Sequence, residues 1–203
     1  MSTETKRAIL DPITPENAVL LIIDQQEGLF SRISQPERTR ANLLALAHVS
    51  RMLGVPAVMT TVLSAGSNGP QLADLGEIFA NQPIIDRTLI DAWKEPRVKE
   101  AIMETGRKKV IIAGTGFEVC AQIPALSSVA EGYDTYVVLD ACGLFSPSPS
   151  IAAISRLSQA GVALVDTRPL VLAMMADNAH PRAREIYATL PAGLVRMDSA
   201  SVS

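Results

Sequence analysis

The run Ala18-Val-Leu-Leu-Ile-Ile23 is apolar at every position and stops at Asp24. A strand with one wet face alternates apolar and polar side chains. A strand without alternation is covered on both faces, as in the middle of a parallel sheet. Val110 to Ala113 before Gly114 and Val137 to Leu139 before Asp140 repeat the pattern. Parallel neighbours need long crossovers, and Leu43, Leu44, Ala47, Val49 and Leu53 supply helical spacing over 37–53 until Gly54 stops it. Read this way, strands fall at 18–23, 56–62, 83–85, 109–113, 133–139 and 162–165. Helices fall at 37–53, 72–79, 96–105, 118–130 and 148–160, the last with Ser148 as N-cap and Pro149 at the first helical position, followed by helical tail segments. The pattern predicts an α/β fold, a three-layer doubly wound sheet of about six mostly parallel strands with helices on both faces.

A chain of 203 residues with 48% apolar content is large enough for a full core, and no repeat or low-complexity block divides it, so residues 1–203 are expected to form a single domain. A net charge of −3, no basic run and 4% aromatic residues argue against nucleic acid as a partner. No apolar run approaches the ~20 residues of a membrane span, and residues 1–11 lack the apolar core of a signal peptide. No membrane partner and a cytoplasmic location are therefore expected. Cys120 and Cys142 have no metal-like spacing and are read as reduced thiols.

In doubly wound sheets, ligands bind outside the carboxyl ends of the strands at a topological switch point. The polar residues expected there are Asp24, Arg87, the loop Gly114 to Cys120, and Asp140. Cys120 would stand in the first turn of a helix, where free N–H groups and the helix dipole favour the thiolate. A free intracellular cysteine is most often a small packing residue, so the functional reading needs partners. Asp24 offers a base and Arg87 a cation.

The order Ala18 to Asp24-Gln25-Gln26, then Arg87 before Asp91-Ala92-Trp93, then Lys108-Lys109 to Gly114 with Glu118-Val119-Cys120, then Val137 to Ala141 resembles the isochorismatase-like cysteine hydrolase superfamily, and within it the YcaC-type branch. The resemblance implies that Asp24 deprotonates Cys120, with Arg87 where most of the superfamily has Lys. Arginine serves only as a fixed charge and donor. It also implies a cis peptide between Gly116 and Phe117 that turns amides toward the substrate oxygen, an oxyanion loop of Gly116, Phe117 and Cys120. Phe117 stands where Thr is usual and either narrows the pocket or is a core aromatic. Gln26, Phe30 and Trp93 are the other pocket candidates. The implied reaction is hydrolysis of a C–N, amide-type bond of a small molecule through a Cys120 acyl-enzyme, without a cofactor, in a homo-oligomer that is an octamer in the YcaC-type branch.

Metal-dependent relatives carry an Asp-x-His near the first strand. Here the histidines are His48 and His180, neither with a partner at ligand spacing, and no metal is expected. Cys142 is read as a packing residue. Two alternatives stay open. Gly114-Thr-Gly116 after a strand is similar to the opening of a dinucleotide fingerprint, although Val119 stands in place of the third glycine. An idle, oligomeric binding or scaffold protein of the same fold is the other. Lys94, seven residues beyond Arg87, competes for the basic position, and Arg87 is chosen for its place beside a strand end.

Overall fold

The computed structural model describes residues 11–191, without the side chains of 147–149. Six parallel strands, β1 (Ala18–Ile23), β2 (Ala57–Val62), β3 (Ile84–Arg87), β4 (Lys109–Gly114), β5 (Asp134–Val138) and β6 (Ala163–Val165), form one sheet in the order β3-β2-β1-β4-β5-β6. The helices are α1 (Glu27–Phe30), α2 (Pro36–Met52), α3 (Ala73–Ile78), α4 (Pro96–Glu104), α5 (Gln122–Ala130), α6 (Pro147–Gln159), α7 (Thr167–Met175) and α8 (Ala183–Thr189).

The apolar runs divide by the period of two that a strand imposes. Ala18, Leu20 and Ile22 of β1 join Ile111, Ala113 and Val138 in a core capped by α2, α7 and α8. Val19, Leu21 and Ile23 join Val110, Ile112 and Val137 in a second core under α4, α5 and α6. Every residue of β1 and β4 is buried, which is why both runs lack alternation. The order reverses between β1 and β4, paired from Ala18 with Lys109 to Ile23 with Gly114. The crevice of the fold therefore opens just beyond Asp24 on one side and Thr115 on the other.

Several boundaries differ from the sequence expectation. β3 runs through Arg87, so the arginine belongs to the strand rather than following it. Helix α6 begins at Pro147 with Ser146 at the N-cap, two residues before the expected start, and the Ser146 N–H is satisfied by Glu118 Oε1 at 3.3 Å. The expected helix 118–130 opens with a π-helical turn, Phe117–Ala121, before α5.

Candidate active site

Asp24 closes β1 in the left-handed region, φ 55°, where Asp is tolerated better than most residues. Its N–H donates to Thr60 O at 2.9 Å while its carbonyl accepts from Gln26 N–H at 2.8 Å, so the chain turns sharply at the strand end. Arg87, at the end of β3, reaches past β2 to Asp24. Its Nη2 donates to Asp24 Oδ2 at 2.6 Å, and both side chains are fully out of water. The other terminal nitrogen, Nη1, donates to the carbonyls of Leu89 and Ile90.

That leaves Asp24 Oδ1, buried and without a hydrogen bond of ordinary geometry. The Cys120 thiol interacts with this carboxylate. Asp24 is pushed above the ordinary carboxylate value by burial, opposed by the Arg87 charge and by the thiol. The Cys120 thiol is pushed up to about 12 by burial and by the Asp24 charge, and Arg87 and the backbone at Gly116 only partly offset this. The helix-end preference for thiolate is therefore outweighed in the folded protein. The turn around Cys120 is π-helical, and burial first and the facing carboxylate second hold the thiol in its protonated form. The arrangement sets a thiol beside a carboxylate that can accept its proton.

The cis peptide is Thr115–Gly116, one bond before the expected Gly116–Phe117. Thr115 is fixed on both sides of it: its N–H donates to Ile23 O at 3.1 Å and its hydroxyl to Gln25 Oε1 at 2.7 Å. Gln25 in turn donates to Ala141 O at 3.3 Å. The expected oxyanion set also needs correction. The Phe117 N–H donates to Gly143 O at 2.7 Å, so it is engaged within the protein, and the Phe117 side chain is a fully buried core residue. The Cys120 N–H donates to Gly116 O at 2.8 Å, an oxygen that Val119 N–H shares at 3.1 Å.

The pocket candidates turn out to be scaffolding. Gln26 is a buried clamp, donating to Val62 O and Gly69 O while its Oε1 accepts from Val62 N–H at 2.8 Å. Phe30 lies in the core over β1 with Ile33 and Leu43. Trp93 is 1% exposed and meets Tyr133 edge to face at 4.9 Å, and Tyr133 precedes β5, at the amino end of that strand and not at the carboxyl ends where the crevice lies. Asp91 caps the turn that holds Trp93 and accepts from Ser127. Asp140 accepts from the Thr167 N–H and hydroxyl at the start of α7, and burial raises it above the ordinary carboxylate value. It belongs to the fold.

Residues to which the sequence assigns no individual role complete the site. Gln25 and Thr115 lock the strand ends. Glu118 ties the nucleophile's turn to the start of α6 by accepting from Ser146 N–H and Ser150 Oγ, with its Oε2 buried and unpartnered. Phe145 lies so close over Gly116 that a Cβ there would stand 2.3 Å from its ring. Gln25 and Glu118 stand in the stretches that carry the family resemblance and Thr115 in the Gly114 to Cys120 loop, yet nothing in their type separates them from structural polar residues, and Phe145 carries no signal of its own.

Cys142 is 2% exposed and accepts from the Gly114 N–H at 3.3 Å. The amides of Gly114, Thr115 and Phe117 are all engaged within the protein and so are not turned to a phosphate. Among the described residues no cluster of three His, Cys, Asp or Glu side chains could hold a metal ion, and no helix is long and apolar enough to cross a membrane.

A doubly wound sheet with a thiol, a carboxylate and a guanidinium gathered at its switch point defines the class of a hydrolase of the isochorismatase-like fold. The Isochorismatase domain family covers residues 18–169, and this chain belongs to that family. The probable hydrolase YcaC of Escherichia coli (strain K12) is 39% identical over 152 residues, 73% of each chain. Among solved structures, YcaC from Pseudomonas aeruginosa, described with hexane-2,5-diol and covalent acrylamide, superposes with a TM-score of 0.85 at 34% identity, covering 88% of this chain and 91% of that one. The Escherichia coli YcaC, described as an octameric hydrolase of unknown specificity, gives 0.85 at 33% identity, covering 88% and 90%. The chain is an isochorismatase-like hydrolase of the YcaC-type branch.

Proposed function

We propose that this chain hydrolyses a C–N, amide-type bond of a small molecule through a Cys120 acyl-enzyme, with Asp24 as base and Arg87 as the fixed cation. The observation that carries the reading is the division of labour on one carboxylate: Oδ2 is held by Arg87 at 2.6 Å, and Oδ1 is buried without a hydrogen bond of ordinary geometry on a carboxylate that interacts with the thiol. Asp24 takes the Cys120 proton as sulfur attacks the carbonyl carbon. The negative oxygen of the tetrahedral intermediate is met by backbone amides of the nucleophile's turn other than that of Phe117, which Gly143 O holds. Asp24 then gives its proton to the departing nitrogen, and the amine leaves. Water attacks the thioester with Asp24 again as base, releasing the acid and returning the proton to sulfur. Arg87 holds Asp24 in place and favours its ionised form against the opposing effect of burial.

The covalent acrylamide described for the Pseudomonas aeruginosa YcaC supports a nucleophilic centre in this fold. The octamer described for the Escherichia coli YcaC supports a homo-oligomer here. The same reading takes 1–203 as one domain with no cofactor and no metal. Mass spectrometry of the protein quenched during turnover of an amide tests it: an acyl group on the Cys120 peptide, absent in Cys120→Ala and accumulating when deacylation is slowed, is expected. Turnover by Cys120→Ala at the wild-type rate would overturn it.

A further inference from the structure

Five of the large apolar side chains left exposed stand in segments that follow strand carboxyl ends: Leu63 (54% exposed) after β2, Leu89 (44%) and Ile90 (63%) after β3, Val119 (39%) after β4, and Phe145 (41%) beyond β5. Their backbones border the crevice, and the Phe145 side chain itself lies over Gly116 within it. The Leu89 and Ile90 carbonyls accept from Arg87, Leu63 N–H donates to Arg87 O at 3.1 Å, Val119 is the neighbour of Cys120, and the Phe145 ring covers Gly116.

The charge at the same place is closed to a ligand. Arg87 has no side-chain exposure and its charge is matched by Asp24; even its Nε is out of water. Glu118 sits in the nucleophile's own turn, and Asp86 is near enough to act on Asp24. A carboxylate entering the crevice would meet acidic neighbours and a cation already paired.

We propose that the site takes neutral, carboxylate-free amides whose acyl group rests on an apolar wall, and that Phe145 is the residue that sets the acyl preference. This rests on Cys120 as nucleophile. Phe145 is placed for the role by Glu118, which holds the adjacent Ser146 N–H, and by Gly116, whose missing side chain lets the ring approach. An acyl chain against that ring removes apolar surface from water on both partners.

Alkylation of Cys120 reads the wall and the charge independently of turnover. In each reaction a sulfur–carbon bond forms as the carbon–iodine bond breaks and iodide leaves, the thiol proton passing to Asp24 in the native protein and to solvent in the unfolded reference. Rates at Cys120 are measured by peptide mass spectrometry with iodoacetamide, iodoacetate and N-hexyl iodoacetamide, on native protein and on protein unfolded in urea as reference. In native protein the preference for iodoacetamide over iodoacetate is expected to exceed the unfolded value by about tenfold. The preference for the hexyl reagent over iodoacetamide is expected to exceed it by about fivefold, and Phe145→Ala should return that second ratio toward the unfolded value. Native ratios equal to unfolded ones, a Phe145→Ala ratio unchanged from wild type, or a native Cys120 that no reagent reaches would each overturn the proposal. A parallel panel of neutral amides separates the two readings. Selective alkylation without hydrolysis of any amide would retire the hydrolase mechanism and leave the ligand class standing.

Discussion

The Asp24 carboxylate and the Arg87 guanidinium meet at 2.6 Å with neither side chain exposed, joining the ends of two strands that have β2 between them. Removing one member leaves a buried charge without its partner, which typically costs about 3–5 kcal/mol of stability. Arg87→Ala should lose that order of folding stability and, in the fraction that folds, ~2–4 kcal/mol of transition-state stabilisation. Arg87→Lys should recover part of both, since the charge is kept and the fork that spans Asp24 and the Leu89 carbonyl is lost. Lys94, exposed on the short turn at Ala92–Lys94, should be replaceable by Ala with little effect. Urea melts and kcat/KM on one amide decide the assignment; a near-wild-type Arg87→Ala beside a dead Lys94→Ala would reverse it.

The two thiols are both pushed up to about 12, so pKa does not separate them. Access does: Cys120 is half-buried at the crevice and Cys142 is 2% exposed beneath it. Iodoacetamide at neutral pH should label Cys120 well before Cys142, with Asp24 assisting by accepting the proton. Asp24→Asn should slow the reaction at Cys120 and leave Cys142 alone. Equal labelling of both cysteines in the native protein counts against the site.

How much of this was legible in the sequence follows from what each signal measures. The strands were readable because β1 and β4 are covered on both faces and therefore lack alternation, and Asp24, Arg87 and Cys120 followed from the rule that places ligands past strand ends. The pocket residues failed because an aromatic or amide side chain near a strand end carries no mark of direction. Trp93 lies near Asp91 in sequence yet packs on Tyr133 at the amino end of β5, and Gln26 is consumed in a backbone clamp. The thiolate expectation counted the helix end and omitted burial, which is a property of the packed molecule. Phe145 was invisible because its role depends on a contact with Gly116, 29 residues away in the chain.

Gly143 supports the cis peptide from beneath. A Cβ there would stand 2.8 Å from Thr115 Oγ1 and 2.8 Å from Ile33 Cγ2, and Thr115 Oγ1 is the atom bonded to Gln25. Gly143→Ala should therefore lose roughly 1–3 kcal/mol of stability by overpacking and reduce kcat more than KM, because the nucleophile's turn moves with Thr115. Thermal melts alongside steady-state kinetics check this. A variant with wild-type stability and rate would show that the Thr115 anchor is dispensable.

The chain's two histidines stand apart, His48 exposed on α2 and His180 accepting from Arg182 N–H at 3.1 Å. With no His pair to complete a ligand set, hydrolysis should be unchanged after dialysis against EDTA. Activity that vanishes with the chelator and returns with zinc would require a different mechanism.

The pH dependence separates a base-activated thiol from a preformed thiolate. Asp24 must be ionised to accept the proton, and its folded pKa is raised above the ordinary 3.8, chiefly by burial. The acid limb of kcat/KM should therefore have its midpoint above 3.8, with activity lost as pH falls through it. Cys120 stays protonated until about 12, so no second rise is expected at the ordinary thiol value of 9.0. Linkage carries the same sign. A carboxyl that holds its proton more tightly folded than unfolded adds stability that is fully present below 3.8 and lost as pH rises through the folded value. A kcat/KM profile on a neutral amide tests the assignment, since such a substrate does not titrate in the window. An acid limb at or below 3.8, or a rise centred near 9, would place the reactive proton somewhere other than between Cys120 and Asp24.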